Sequence, residues 1–272
     1  MKPISISEKL MFNTIKLETK NGTGTGFFFN FKIGDSIYPT LITNKHVINY
    51  NNEETVNFYL HIKSNDDDIT ENINIKYQTH WYFHPTKDLC FTFVYPLFQQ
   101  VKDKFDKEVF YIATDESIVA TTNKLIELRA LEELVMVGYP IGLFDQRNNY
   151  PIFRKGYTAS HPAIDFNGDS IGVIDMACFP GSSGSPIYIL NENGYWNKDG
   201  NFNLGSARVI FLGILFAGPQ YDATGNIKVK VIPTSNNILE THTNIMTNLG
   251  YYIKSNELFE FKKIIESLIK EN

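Results

Sequence analysis

Short apolar or alternating runs recur along the chain and are separated by glycine, asparagine, aspartate and proline. Clear examples are residues 26–29, 38–42, 56–60, 89–94, 209–215 and 227–232. Runs of this length with turn-forming residues between them are typical of strands in a β-sandwich or β-barrel. The Gly- and Asn-rich stretch 191–203 predicts the tip of a hairpin. The pattern therefore predicts an all-β fold.

Residues 256–270 follow a different period. Their apolar side chains recur at three- and four-residue spacing, at Leu258, Phe259, Phe261, Ile264, Ile265, Leu268 and Ile269. Polar residues fill the opposite side, and Ser255 or Asn256 can cap the start. This predicts a C-terminal amphipathic helix that packs its apolar stripe on the protein's own core, with binding to a partner as the alternative.

Composition limits the functional classes. The 272 residues suffice for one large domain or two small ones, and 43% hydrophobic with 20% charged residues indicates a folded globular protein. The net charge of -5 argues against a general nucleic-acid binder or a protein that binds anionic membranes. We therefore expect neither nucleic acid nor membrane as a partner.

The sequence also bears on the cellular compartment. The N-terminus lacks the uninterrupted apolar segment of a secretory signal, and no stretch approaches the roughly 18 apolar residues of a membrane helix. Cys90 and Cys178 are too few for a disulfide framework, so two buried free thiols are expected. These features predict a cytoplasmic protein, although a mature chain stripped of its leader would show them too.

Three short strings contain residues suited to chemistry. In the string 180–186, glycines flank Ser183, which allows a tight turn that presents the hydroxyl and directs backbone N–H groups to one point. His46 follows an apolar strand, and Asp88 stands at the start of another. Each string alone fits a structural role equally well: a turn, a packed histidine and a strand cap.

The order of the three residues is more specific. Asp88 follows His46 by 42 residues, and Ser183 follows Asp88 by 95. The chain resembles the trypsin/chymotrypsin-like serine peptidases, most closely their Deg/HtrA-like branch. Besides the order of these three residues, the resemblance lies in the Gly-rich stretch 22–28, the string 43–47, the string 137–142, the stretch 175–186 and the strand 213–218. The α/β-hydrolase order of Ser, Asp and His is absent, which disfavours an esterase of that type.

This resemblance implies an architecture. We expect two antiparallel six-stranded β-barrels with the cleft between them, followed by the C-terminal α-helix. The expected divisions are an N-terminal barrel with His and Asp at residues 1–110, a C-terminal barrel with Ser at residues 111–250, and the helix at residues 251–272. These divisions leave no room for the PDZ domain that Deg/HtrA relatives commonly carry.

The resemblance also implies catalytic roles. Ser183 would attack the scissile carbonyl, His46 would accept its proton, and Asp88 would orient the imidazole. The amides of Gly181 and Ser183 would form the oxyanion hole. No metal or organic cofactor is expected, and the spacing of His80 and His84 before the triad Asp favours loop packing over a zinc site.

By the same resemblance, five residues would bind substrate. They are Ala177, Cys178, Phe216, Ala217 and Gly218. Because Ala177 stands where the family places the base of its primary specificity pocket, a preference for Lys or Arg is disfavoured. We expect a neutral pocket for a small or medium apolar side chain.

Two functional hypotheses follow. The first is a regulated cytosolic serine endopeptidase with a protein or peptide substrate and, as one option, an activating partner. The second is a latent or catalytically silent protease fold that serves as a binding module. The chain has Ser182 at the position where digestive relatives have an Asp that pairs with a freed N-terminus. Activation by that ion pair is therefore not expected.

Overall fold

A computed structural model describes the backbone of residues 2–63, 71–226 and 240–271, and their side chains except those of 220–226 and 240–246. Strands make up 44% of it and helices 21%. The predicted all-β class with a C-terminal helix is confirmed. The strand expected at 227–232 lies outside the described residues.

The N-terminal half forms a nine-stranded sheet. Its strands are β1 (Thr14–Thr19), β2 (Gly22–Ile33), β3 (Ser36–Thr43), β4 (Thr55–Ile62), β5 (Glu71–Gln78), β6 (Tyr82–Phe83), β7 (Cys90–Phe93), β8 (Val109–Phe110) and β9 (Thr114–Asp115). The hydrogen-bonded order is β5-β4-β1-β2-β3-β7-β6, with β8 beside β4 and β9 beside β2. All pairs are antiparallel except β2 with β9.

The C-terminal half is built on a closed barrel. Its strands are β10 (Glu133–Gly138), β11 (Ile152–Thr158), β12 (Ile171–Asp175), β13 (Pro186–Asn191), β14 (Gly194–Trp196), β15 (Phe202–Leu204), β16 (Arg208–Ala217), β17 (Gln220–Asn226), β18 (Glu240–Met246) and β19 (Leu249–Lys254). The barrel order is β10-β11-β12-β19-β16-β13. The expected hairpin tip is the β14–β15 pair, and β17 pairs with β18.

One closed six-stranded barrel is thus present in the described chain, where two were expected. In the N-terminal half β6 and β8 are two residues long, so they extend the sheet at its margins with few ladder hydrogen bonds and do not close it. The last strand of that sheet ends at Asp115 and the barrel begins at Glu133. The domain division at 110/111 stays a prediction.

Four α-helices accompany the strands in the described residues. They are α1 (Ile6–Met11), α2 (Tyr95–Phe105), α3 (Thr122–Ile126) and α4 (Leu258–Glu271). Helix α1 begins with a capping box, in which Ser5 accepts from the Glu8 amide and the Glu8 carboxylate accepts from the Ser5 amide. None of the helices described here has the length and hydrophobicity to cross a membrane.

Helix α4 packs on the core that the two halves share. Its buried residues Leu258, Phe261 and Ile265 belong to one cluster with Phe27 of the sheet and Phe211 of the barrel. The predicted helix is therefore present and docks on the protein's own core. Ser255 precedes it in a 3₁₀ turn, where its hydroxyl donates to the Phe211 carbonyl at 2.6 Å.

The two cysteines are buried and free, as predicted. Burial raises the pKa of the Cys178 thiol to about 11 and that of Cys90 well above its usual range. Both thiols are therefore neutral at physiological pH and act as small apolar groups in their cores.

His61 is a buried titratable group on β4. Its ring is 3% exposed, lies 4.8 Å from the Phe12 ring and 5.6 Å from the Tyr150 ring, centroid to centroid, and stays neutral because burial lowers its pKa to about 4. Unfolding returns the pKa to its ordinary value of about 6.5. Between those two pH values only the unfolded chain binds the proton, so stability falls as the pH falls.

We predict that His61→Phe flattens this dependence. Wild type should lose about 2 kcal/mol of unfolding free energy between pH 7 and pH 5 through His61 alone, and a phenyl ring has no proton to bind. Urea unfolding at both pH values measures the difference. His80→Phe, the same change at an exposed ring, should retain the loss. Equal losses in wild type and His61→Phe would contradict the prediction.

Candidate active site

Strand pairing brings His46 and Asp88 together. Strand β3 ends at Thr43, which pairs with Cys90 at the start of β7, so the residues just outside these two strand ends are neighbours. His46 lies in the 3₁₀ turn Lys45–Ile48 after β3, and Asp88 lies just before β7. The buried Asn44 side chain donates to the Asp88 carbonyl at 2.7 Å and ties the two segments together.

The Asp88 carboxylate holds His46 at two points. One oxygen accepts from the His46 backbone amide at 3.1 Å, and the other lies 2.5 Å from His46 Nδ1. A carboxylate only accepts, so Nδ1 carries the proton and Nε2 of the neutral ring is left as an acceptor. The His46 side chain is 33% exposed and that of Asp88 19%, so the pair stands at the surface with its carboxylate the more sheltered group.

His84 shapes the loop that presents Asp88. Its ring Nδ1 accepts from the amides of Thr86 and Lys87 at 3.2 and 2.9 Å, and its Nε2 lies 3.3 Å from the Glu257 carboxylate. Burial lowers its pKa, and Glu257 opposes that effect. His80 lies apart from it and contacts Glu53. In this arrangement His84 holds the loop before Asp88 through its ring nitrogens. The described residues contain no group of three or more possible metal ligands.

Backbone hydrogen bonds hold the loop with Ser183 from both halves of the molecule. The Ser183 carbonyl accepts from the Thr25 amide of β2 at 2.9 Å, and the Gly184 amide donates to the Leu215 carbonyl of β16 at 2.9 Å. The Gly181 carbonyl accepts from the Thr25 hydroxyl at 3.1 Å. The loop therefore cannot shift relative to β2 without breaking hydrogen bonds.

Thr25 connects this loop to the strand that leads to His46. Its carbonyl accepts from the Thr43 hydroxyl at 2.7 Å, and Thr43 is the last residue of β3. Thr25 and Thr43 are both fully buried, which strengthens the bond between them. This position was not identified from sequence, although a polar residue in a strand of glycine and phenylalanine is a signal that could have found it.

A hydrogen bond fixes the orientation of the peptide between Pro180 and Gly181. The Pro180 carbonyl accepts from the Ile141 amide at 2.5 Å, and because the peptide unit is planar and trans, the Gly181 N–H points the opposite way. Gly181 has φ +84°, and a Cβ there would lie 2.6 Å from the Tyr139 carbonyl. Among the hydrogen bonds of the described chain, the amides of Gly181 and Ser183 donate to no protein acceptor.

A cavity of about 290 Å³ adjoins Ser183. Its lining consists of Cys178, Phe179, Pro180, Ser183, Leu215, Ala217 and Gly218. Three of the five expected substrate-binding residues, Cys178, Ala217 and Gly218, are thus found together. The other two do not line it: the Ala177 carbonyl accepts from Arg154 at 2.6 Å, and the Phe216 ring packs near Tyr251.

The chain matches a known protein family over most of its length. The family model "Trypsin-like peptidase domain" matches residues 24–195, more than half of the chain. The search of curated proteins found no match to the chain.

The solved structures that resemble the chain share little of its sequence. An inactive serine-to-alanine mutant of Rv3671c from M. tuberculosis H37Rv is 14% identical, with a TM-score of 0.41 over 93% of this chain and 86% of that one. A human pathogenic astrovirus serine protease is 13% identical, with a TM-score of 0.41 over 89% of each chain. The scabies mite inactivated protease paralogue S-I1 is 11% identical, with a TM-score of 0.46 over 97% of each.

Gly184 allows the close contact between the Ser183 loop and β2. It has φ +84°, and a Cβ there would lie 2.0 Å from the Thr25 carbonyl oxygen and 2.6 Å from the Thr43 hydroxyl. We predict that Gly184→Ala displaces the loop and costs more than about 2 kcal/mol of stability, since a backbone atom must move as well as a side chain.

Gly200→Ala is the matched control for this prediction. Gly200 has φ +81°, and a Cβ there has nothing within 4 Å, so the control carries the backbone strain without the clash. Its cost should stay near 1 kcal/mol. Chemical denaturation measures both variants, and equal losses would contradict the assigned contact.

Proposed function

Because the chain belongs to the trypsin-like peptidase family, we propose that it is a serine endopeptidase in which His46, Asp88 and Ser183 form the catalytic triad. The observation that carries the proposal is the double contact of the Asp88 carboxylate with His46. The Thr25 bonds that join the Ser183 loop to the same strands support it.

The first half of the reaction forms an acyl-enzyme. His46 Nε2 takes the proton of the Ser183 hydroxyl as its oxygen bonds to the scissile carbonyl carbon, and the resulting oxyanion accepts from the amides of Gly181 and Ser183. The imidazolium then gives its proton to the amide nitrogen, the C–N bond breaks, and the amine leaves. Asp88 stabilises the imidazolium and keeps Nε2 pointed at the reacting atoms.

The second half repeats these roles with water. His46 takes a proton from the water as its oxygen attacks the ester carbon, and the same two amides bind the new oxyanion. The Ser183 oxygen leaves with the proton that His46 returns to it. The net reaction consumes one water and releases a carboxylic acid, and Ser183 is regenerated.

The cavity beside Ser183 is proposed as the primary specificity pocket. Its wall side chains, Cys178, Phe179, Pro180 and Leu215, are uncharged and mostly apolar, which supports the proposal that a Lys or Arg side chain is not accepted. The finer assignments, to the Deg/HtrA-like branch and to a regulated protease that responds to an activating partner, rest on family resemblance, and the proposed cytosolic location rests on the sequence features described above.

The proposal predicts that a fluorophosphonate probe labels Ser183. Wild-type protein should react and Ser183→Ala should not, because the probe needs an activated hydroxyl and oxyanion donors. Ser182→Ala, a change at the neighbouring buried serine, should keep the label. In-gel fluorescence and peptide mass spectrometry measure the result. A folded wild type that does not react would favour the alternative, a latent or silent binding module.

The Asp88 contact generates a second prediction. Asp88→Asn should lower kcat by about 10⁴ with little change in KM, because an amide can donate to Nδ1 and leave the ring in the wrong tautomer. Glu53→Gln alters a second contact between a carboxylate and a histidine Nδ1, that of Glu53 with His80 at the surface, and should leave kcat unchanged. Steady-state peptide hydrolysis measures both. A drop confined to KM would contradict the role of Asp88.

A further inference from the structure

Arg154 faces the interior of the barrel. It lies on β11 directly opposite Met136 of β10, and residues paired in this way project from the same face of an antiparallel sheet. Met136 is fully buried in the cluster of apolar residues that fills the barrel. Lys155, the next residue along, is on the other face and pairs with Glu133 at the surface.

The Arg154 guanidinium is incompletely paired. Its Nη1 donates to the Ala177 carbonyl at 2.6 Å, whereas Nε and Nη2 are buried without an acceptor. Among the described residues no carboxylate forms an ion pair with it. Arg208 of the same barrel shows the usual solution, because its Nη2 lies 2.5 Å from the buried Glu132 carboxylate. A buried cation with two free donors is costly for the folded protein.

The charge of Arg154 persists in this setting. Burial lowers its pKa to about 10, which still leaves it cationic at neutral pH. Cys178 is close enough for the two charges to interact, but burial raises its thiol pKa to about 11, so the thiol cannot serve as the counter-anion. The guanidinium therefore keeps its charge, with no counter-anion among the described residues.

The guanidinium lies behind the wall of the cavity beside Ser183, and Arg154 itself does not line that cavity. Ala177, which accepts its single hydrogen bond, is followed at once by Cys178 of the cavity wall. Cys178 and Leu215 line the cavity and also belong to the barrel cluster that contains Met136. A substrate side chain would have to pass between these two residues to reach Arg154.

We propose that the pocket beside Ser183 accepts an acidic side chain, glutamate or aspartate, whose carboxylate binds the free donors of Arg154. The proposal rests on the proposed peptidase function and names its substrate class. A planar guanidinium with two free nitrogen donors, Nε and Nη2, matches a carboxylate in geometry and in charge. The pocket that was expected to accept an apolar side chain is thereby reassigned to an acidic one, with mostly apolar side chains in its wall and the Arg154 cation behind that wall.

Cleavage assays test the assignment. Peptides that differ only at the residue before the scissile bond carry Glu, Gln, Leu or Lys, with Gln as the neutral isostere of Glu. We expect kcat/KM for Glu to exceed that for Gln by about 100-fold, because Gln leaves the cation unpaired. Arg154→Met should abolish this ratio and favour Leu, and Lys155→Met, which removes one cation from the outer face, should retain it.

A binding assay tests the pocket without chemistry. The Ser183→Ala protein is titrated with product peptides that end in Glu or Gln, and we expect the Glu peptide to bind at least about tenfold more tightly. Equal binding, or a preference that survives Arg154→Met, would overturn the inference. Discrimination in this assay without fluorophosphonate labelling of wild type would uphold the pocket and refute the peptidase. Labelling of wild type without a preference for the Glu peptide would support the peptidase and overturn the acidic pocket.

Stability separates specificity from a purely structural role. Arg154→Met replaces an incompletely paired cation with an apolar side chain of similar length, so we expect it to unfold at the same or a higher urea concentration than wild type. If Arg154 served only to hold the Ala177 carbonyl, the variant would be less stable and its Glu-to-Gln ratio would be unchanged.

Discussion

The buried hydrogen bonds of Thr25 join the two halves of the candidate active site. Its amide donates to Ser183, its hydroxyl donates to Gly181, and its carbonyl accepts from Thr43, the last residue before the segment with His46. The groups of a catalytic triad must be held within a fraction of an ångström. One buried residue with three such bonds supplies this constraint between a sheet and a barrel that have separate strand ladders.

Other features surround that contact. Gly184 leaves room for the Thr25 carbonyl, and Ile141 holds the Pro180 carbonyl on the far side of the loop. Helix α4 packs over the core that both halves share, and its flanking turn contributes Glu257 to the histidine that shapes the Asp88 loop. The apolar core and the polar site are thus built on the same junction.

Much of this could be predicted from sequence. Periodicity predicted the C-terminal helix, which the structure contains, and motif strings pointed to His46, Asp88 and Ser183 as candidates, because periodicity and motif strings are local signals. The open N-terminal sheet and the cavity lining without Ala177 and Phe216 could not be predicted, since they depend on long-range register. Arg154 was missed for the same reason: on a strand it looks like a surface residue, and only its pairing with Met136 shows that it faces the core.

In the proposed mechanism Ser183 reacts while the amides of Gly181 and Ser183 bind the developing oxyanion. A crystal structure of the protein after treatment with a fluorophosphonate tests this most directly. We expect phosphorus bonded to Ser183 Oγ, with one phosphonyl oxygen about 2.7–3.1 Å from both backbone amides. An adduct on another residue, or a phosphonyl oxygen that bonds neither amide, would contradict it.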